Sequence, residues 1–310
     1  MTSGQRGTVA WSTMLAALLA ACTPGPEAAT ERSEEAPAPA TLDSGDVLAR
    51  VEGLSGPEAV RWDPDQDIWF VANFGPSQGE DDRDGDGFVS RVAPDGEVVD
   101  LRFMVGSALA GLHMPRGMAL EGDTLWVADV DGVHGFDRVS GTHLAFVDFT
   151  ALEPGFINDL AVDAGGALYA TDTGRGRIYR VVDGVASVAV EDDRTGPPNG
   201  ITAEDGSGRF LLAPWGGGTK LRAWDPVTGV FDDVAELVGG NFDGIEVLDG
   251  LVIIASQADS TIHAVDVGEG TVTPLVRVAG RPADIAVDPS RGRIAVPYIA
   301  LNRVDIWQLR

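Results

Sequence analysis

Residues 158–163 read NDLAVD, and variants of this phrase recur at a nearly constant step along the chain. Each copy opens with a polar or turn-forming dipeptide, continues with apolar residues and often ends on an acid. The six copies begin at Glu58, Arg116, Asn158, Asn199, Asp243 and Ala283. Successive starts lie 58, 42, 41, 44 and 40 positions apart. A period of about 40 residues with strand-like content is typical of a propeller or a solenoid.

Each repeat also holds short runs rich in β-branched and aromatic residues, bounded by Gly, Asp, Asn or Pro. Residues 124–128 (TLWVA) and 251–255 (LVIIA) have the pattern of buried strands. Residues 177–181 predict a third strand, and residues 186–190 predict a weaker, outer fourth strand. Four strands in each of six repeats predict a six-bladed all-β propeller.

The predicted ring must close between its two ends. The sixth repeat leaves room for only three strands before Arg310. The strand-like segment 46–51 (DVLARV) precedes the first phrase. We therefore predict that this segment supplies the outer strand of the last blade, which also removes an open sheet edge.

The first residues indicate export rather than folded structure. An apolar stretch at residues 9–21 runs into Cys22, the only cysteine of the chain, and it resembles a bacterial lipoprotein signal with lipidation at Cys22. An ordinary secretory signal with an incidental cysteine is the alternative. We predict a signal at residues 1–21, a disordered tether at 22–44 and the propeller at 45–310. The expected location is membrane-anchored, in the periplasm or on the outer cell surface.

The composition narrows the classes of partner. A net charge of −26 argues against nucleic acid and anionic membrane surfaces as partners. With Cys22 used for lipidation, no thiol remains for a disulfide, a thiolate metal site or a cysteine nucleophile. We expect a monomer.

The first residues of the phrases are the candidate site, because the inner strands of a propeller line its central channel. Glu58, Asn158, Asn199 and Asp243 offer oxygen ligands there. Oxygen ligands suit Ca²⁺, which we expect first, and also Mg²⁺ or Mn²⁺. Zinc is less favoured, since no histidine or cysteine joins them. The alternative is that Asn-Gly and Asp-Gly here are only turn signals.

The chain resembles the gluconolactonase, regucalcin and senescence-marker-protein family of six-bladed propeller lactonases. The resemblance rests on residues 56–62 (GPEAVRW), 158–159 (ND), 198–200 (PNG) and 242–244 (FDG). It implies that Glu58, Asn158, Asn199 and Asp243 bind one divalent cation that polarises a lactone carbonyl. It also implies that Asp243 is the catalytic base that activates water.

Two further residues are candidates for substrate binding. Arg116 opens the second phrase, where its guanidinium would hold a substrate carboxylate or phosphate, or else form an ion pair with Glu58 or Asp243. Trp215, followed by three glycines, is the best candidate for a lid. The four histidines show no pairing at metal-ligand spacing.

The long first step of 58 residues contains a polar insertion at residues 75–87. Asp82, Asp84 and Asp86 alternate there before a glycine, as in the first half of an EF-hand loop. Ala93 stands where such a loop needs its final glutamate. The segment is either a second Ca²⁺ site or a solvated acidic loop.

Two functional hypotheses follow from the sequence. The first is a divalent-metal-dependent hydrolase acting on a small-molecule lactone. The second is a non-catalytic propeller whose channel end binds a ligand or an unknown protein.

Overall fold

The computed structural model describes residues 45–76 and 83–310, which form six antiparallel sheets of four strands arranged as the blades of a ring. Blade 1 contains β2 (Pro57–Asp63), β3 (Ile68–Asn73), β4 (Phe88–Val92) and β5 (Val98–Val105). Blade 2 contains β6 (Met118–Glu121), β7 (Thr124–Ala128), β8 (Gly132–Asp137) and β9 (His143–Asp148). Blade 3 contains β10 (Ile157–Val162), β11 (Leu168–Asp172), β12 (Arg177–Val182) and β13 (Val185–Glu191). Blades 4 and 5 contain β14 (Pro198–Ala203), β15 (Phe210–Pro214), β16 (Lys220–Trp224), β17 (Phe231–Glu236); β18 (Phe242–Leu248), β19 (Leu251–Ser256), β20 (Thr261–Asp266) and β21 (Thr271–Arg277). Blade 6 contains β22 (Ala286–Asp288), β23 (Arg293–Tyr298), β24 (Arg303–Leu309) and β1 (Gly45–Val51).

The predicted six-bladed propeller is confirmed, and so is the way in which it closes. β1 pairs antiparallel with β24, from Gly45 opposite Leu309 to Val51 opposite Val304. The N-terminal strand is thus the outer strand of the last blade. The signal, the tether and Cys22 lie outside the described residues, and their assignment stays a prediction.

Helix is almost absent from the described residues. Two 3₁₀ turns occur, at Thr150–Leu152 and Ile299–Leu301. No helix of the described residues is long and apolar enough to cross a bilayer.

The core lies between neighbouring blades rather than inside any one of them. One cluster joins blade 6 to blade 1 through Val60, Trp69, Ala295 and Ile306, each no more than 1% exposed. Fully burying a large apolar side chain contributes about 1.5–3 kcal/mol, so packing between faces fixes where each inner strand stands.

All six inner strands begin at the same end of the ring, which we call the mouth. The start of β2 pairs with the end of β3, where Pro57 lies opposite Asn73. The loops between second and third strands therefore also lie at the mouth. The insertion at residues 75–87 joins β3 to β4 at this end.

Candidate functional site

Four of the six inner strands begin with an irregularity that coincides with a predicted ligand. The pairing register shifts around Glu58 in β2, Asn158 in β10, Asn199 in β14 and Asp243 in β18. In blades 2 and 6 the inner strand starts two or three residues after the first residue of the phrase, at Met118 and Ala286. Such irregularities redirect side chains near functional sites. They explain how these four residues, each at most 5% exposed, share the mouth.

We call these four residues the oxygen ring, because each has a buried oxygen without a hydrogen bond. The atoms are Oε2 of Glu58 and Oδ1 of Asn158, Asn199 and Asp243. A buried polar atom left unsatisfied costs about 1–3 kcal/mol. A hard cation at the mouth would satisfy such oxygens at once, so the donor set fits Ca²⁺, Mg²⁺ or Mn²⁺.

Hydrogen bonds hold two of these side chains with one oxygen left over. Asn158 Nδ2 donates to Thr173 Oγ1 at 3.2 Å, which leaves its carbonyl oxygen as the unsatisfied atom. Gln257 Nε2 donates to Asp243 Oδ2 at 2.6 Å, so Oδ1 is the free oxygen of that carboxylate. The partners therefore select which atom of each side chain is available.

The loops that lead into the inner strands are held by a recurring device that the sequence analysis missed. In these blades, a polar side chain at or just after the end of the second strand accepts a hydrogen bond from a backbone N–H. The donor lies two or three residues before the phrase of the same blade. Asp172 accepts N–H from Gly155 and Phe156, both at 2.8 Å. Asn73 accepts from Ser55 at 3.0 Å in the same way. Its sequence signal is a polar residue closing an otherwise apolar strand.

The turn interpretation of Asn199-Gly200 and Asp243-Gly244 is wrong. Both dipeptides lie inside strands, and neither glycine has a positive φ. A Cβ at Gly200 would collide with the carbonyl oxygen of Asp243 in the next blade. A Cβ at Gly244 would lie 2.6 Å from Oδ1 of Asp284. These glycines allow neighbouring inner strands to approach each other closely.

The mouth concentrates negative charge in a buried place. Burial raises the pKa of Asp243 to about 7, against the lowering effect of the Gln257 hydrogen bond. Burial also raises the pKa of Asp159 to about 7, although Arg61 lowers it. Burial and the charge of Asp243 raise the pKa of Glu58 well above its ordinary value.

Asp284 has no hydrogen bond to either carboxylate oxygen, and it is 2% exposed. Burial and the nearby Asp159 raise its pKa well above its ordinary value. With Glu246, the buried carboxylates of the channel number five, against the guanidinium groups of Arg61 and Arg116. If all five were ionised, they would exceed the two guanidinium groups by three charges, and one divalent cation would neutralise two of these.

Arg61 and Glu246 form an ion pair between blades 1 and 5. Each stands in the fourth position of its phrase, three residues beyond the oxygen ring. The sequence analysis missed this pair. Its signal was a charged residue inside an apolar strand, at a position where other copies carry alanine or threonine.

Arg116 is in the channel wall, and its substrate role stays a prediction. The side chain is 1% exposed, and Nη1 donates to the carbonyl of Ile157 at 2.7 Å. Its guanidinium carbon lies 3.8 Å from the ring centre of Phe156. Burial and Asp243 raise the pKa of Glu58, and the charge of Arg116 offsets part of that rise.

Trp215 lies directly after β15, at the mouth end of blade 4, and is half-buried. The backbone N–H of Trp215 donates to the backbone carbonyl of Pro197 at 2.9 Å, and Pro197 lies two residues before Asn199. The structure therefore places Trp215 beside a ligand-bearing strand. Its role as a lid stays a prediction.

The acidic insertion is described only in part, because Asp82 lies outside the described residues. Asp84 Oδ1 accepts the N–H of Asp86 at 3.0 Å, and Gly85 N–H donates to His113 Nδ1 at 3.0 Å. Calcium binding by Asp82, Asp84 and Asp86 stays a prediction.

The structure brings histidines and carboxylates together in blade 2 despite their irregular spacing. Ligand atoms of Asp129, Asp131 and His134 lie within 4.8 Å of one another. His134 Nδ1 lies 3.1 Å from His143 Nε2, and His134 Nε2 lies 3.2 Å from Asp129 Oδ2. Asp129 also accepts N–H from His113 and from the following residue, both at 2.7 Å. This group anchors the loop that leads to Arg116.

A surface cavity of about 600 Å³ is lined by loops at the mouth end of blades 3 and 4. It is lined by Arg175, Gly176, Glu191, Asp192, Asp193 and Gly196. None of its lining residues belongs to the oxygen ring.

No protein-family model matches the chain, and no curated protein matches its sequence. Solved structures do resemble it. A structural-genomics target assigned as a gluconolactonase has a TM-score of 0.65 at 16% identity, over 88% of this chain and 93% of that one. A gluconolactonase from Xanthomonas campestris has a TM-score of 0.64 at 17% identity, over 88% and 97%.

A streptogramin B lyase also shares the architecture, with a TM-score of 0.60 at 13% identity over 86% of this chain and 98% of that one. Identities this low show a shared fold and nothing finer. The fold of this chain is thus the propeller fold that gluconolactonases have, and at least one lyase has it too.

Proposed function

We propose that this chain is a divalent-cation-dependent hydrolase that opens the ring of a lactone. The observation that carries the proposal is the oxygen ring, where four buried oxygens from four blades lack hydrogen bonds. The excess of buried carboxylates beside it supports a cation further. The likeness to gluconolactonase structures supports the fold on which such a site would be built.

In this proposal the oxygen ring holds the cation, Ca²⁺ first among the candidates. A bound cation supplies positive charge that polarises the lactone carbonyl. Asp243 takes a proton from water on Oδ2, where the Gln257 hydrogen bond leaves a second lone pair, as the water oxygen forms its bond to the carbonyl carbon. The ring C–O bond then breaks, and the ring oxygen receives the proton back from Asp243. Gln257 holds Asp243 in one orientation throughout, because it donates to Oδ2.

Export and a lipid anchor at Cys22 complete the proposal. They rest on the sequence of residues 1–44, and a mass measurement of the mature N-terminus would test them.

The decisive experiment measures metal content and turnover on the same sample. We expect purified protein to retain about one divalent cation per chain, and to hydrolyse simple γ- and δ-lactones in a pH-stat assay. Asp243→Asn should abolish turnover without unfolding the protein. Asp249→Asn is the matched control, because Asp249 is exposed in a turn of the same blade with a φ of 52° that asparagine tolerates.

Repeating the reaction in H₂¹⁸O distinguishes hydrolysis from the elimination that a lyase catalyses and from simple binding. Hydrolysis in H₂¹⁸O places one labelled oxygen in the product carboxylate, whereas elimination places none. A cation without turnover on any lactone would refute the hydrolase and leave the binding propeller as the function.

A further inference from the structure

A hydrogen-bonded chain leads from the oxygen ring to an exposed arginine that the sequence analysis did not select. Gln257 Nε2 donates to Asp243 Oδ2 at 2.6 Å, and Arg281 Nε donates to Gln257 Oε1 at 3.0 Å. Gln257 is only 9% exposed, whereas Arg281 is exposed. One amide side chain therefore links a predicted metal ligand to a solvent-facing guanidinium.

The outer end of Arg281 is available to a ligand. Its Nη1 and Nη2 groups form no hydrogen bond or ion pair with any residue in the described part of the chain. A guanidinium has five N–H donors in a planar fork that matches a carboxylate. The bond from Nε to Gln257 fixes the plane of the fork and leaves its end free.

Arg281 also stands beside the blade whose phrase begins with a small apolar residue. It lies between β21 and β22, two residues before Ala283, which gives blade 6 no polar side chain at the first position of its phrase. The neighbouring blades carry Asp243 and Glu58 at that position. At that position blade 6 therefore places no carboxylate beside Arg281.

The separation suits a small substrate. Two hydrogen bonds and one amide group place Arg281 Nε at most about 8 Å from Asp243 Oδ2, since an amide separates its oxygen and nitrogen by roughly 2.2 Å. A five- or six-membered lactone with its carbonyl at the oxygen ring would bring a ring substituent near Arg281. Because carboxylates line the mouth, the guanidinium of Arg281 determines whether a negatively charged substituent can bind there.

We propose that Arg281 is a specificity-determining residue that binds an anionic substituent, a carboxylate, on the lactone. The inference rests on the proposed function and adds the substrate class to it. A charge-assisted, bidentate contact holds the anion, and blade 6 places no carboxylate at the first position of its phrase to repel it.

The test compares two lactones that differ in the charge of one substituent: 5-oxotetrahydrofuran-2-carboxylate and its methyl ester. We expect wild type to prefer the carboxylate by kcat/KM. Arg281→Gln should lower the carboxylate-to-ester ratio about tenfold or more, the size expected for hydrogen bonds to a charged group. Arg281→Lys should recover part of the ratio. Arg277→Gln is the matched control, because Arg277 is exposed on the outer strand β21, and its ratio should equal that of wild type.

A second readout needs no turnover. The ring-opened dicarboxylate, 2-hydroxyglutarate, is titrated by calorimetry in the presence of Ca²⁺. Its Kd should rise about tenfold in Arg281→Gln and stay unchanged in Arg277→Gln.

The two readouts separate failure of the inference from failure of the proposed function. Hydrolysis with a ratio that Arg281→Gln leaves unchanged would overturn the role of Arg281 alone. An equal loss on both lactones would mean that Arg281 only positions Gln257, which also overturns the inference. If wild type hydrolyses neither lactone but Arg281→Gln still weakens dicarboxylate binding, the anion site stands without the hydrolase.

Discussion

Replacing Glu58 with glutamine separates a metal ligand from a structural residue, because the two roles predict opposite effects on stability. Glu58 has one buried oxygen without a hydrogen bond, and burial and Asp243 raise its pKa. Its ionised form therefore destabilises the cation-free fold. Glutamine has the same shape without the charge, so we expect the cation-free melting temperature of Glu58→Gln to be equal to that of wild type or higher.

The cation-bound protein should show the reverse. At a cation concentration 100 times the wild-type Kd, binding stabilises the fold by about 2.7 kcal/mol. For a domain of this size, that corresponds to a rise of roughly 5–10 °C. Substituting a residue that hydrogen-bonds to a metal ligand already weakens metal affinity by about 10–100-fold. Replacing a charged ligand itself should therefore raise the Kd for the cation by at least about 100-fold. At the same concentration the variant would gain only about 0.4 kcal/mol, or about 1 °C.

Differential scanning fluorimetry with EDTA, Ca²⁺, Mg²⁺ or Mn²⁺ measures both effects. Glu269→Gln is the control, because Glu269 lies in an exposed turn and should keep the wild-type shift. If Glu58→Gln lowers the cation-free melting temperature and keeps the full cation shift, Glu58 supports the fold and the oxygen ring is not a metal site.

Two further predictions follow from the channel charges. Glu246→Gln leaves Arg61 without its ion-pair partner, so we expect the free energy of unfolding to fall by about 3 kcal/mol with or without cation. Adding Arg61→Met to this variant should restore most of the loss, and urea denaturation measures both effects. Second, burial raises the pKa values of Asp159 and Asp243 to about 7, so the stability that their protonated forms contribute to the cation-free protein should be complete near pH 4 and be lost as pH rises through 7. Thermal melts at pH 5 and pH 8 test this, and a cation that stabilises no better at pH 8 than at pH 5 would contradict it.

The sequence predicted the blades well because the signal for them is local and repeated. Residues 124–128 were predicted as a strand with the bounds that β7 has, and the N-terminal segment was predicted to close blade 6. Both depend on apolar alternation and turn residues, which neighbouring residues determine. The common end of the inner strands also follows from the ring, so Glu58 and Asp243 could be placed together without coordinates.

Contacts between blades were not predictable in the same way. Arg61 and Glu246 are 185 positions apart, and no local pattern pairs them. Gly200 and Gly244 looked like turn residues because asparagine or aspartate precedes each, yet their role is to let the next blade approach. Arg281 lies in an irregular loop, where no period helps.

The ion pair of Arg61 with Glu246 bears on how the channel is used. It lies three residues deeper than the oxygen ring, which is about 10 Å along a strand, and it links blades 1 and 5, which stand on either side of blade 6. An ion pair at that depth, with side chains only 18% and 12% exposed, would narrow the channel below the oxygen ring. Substrate and product would then share the mouth, and the side chains at its rim would meet every ligand that reaches the cation. The proposed selection by charge at Arg281 would therefore act on every ligand that enters through the mouth.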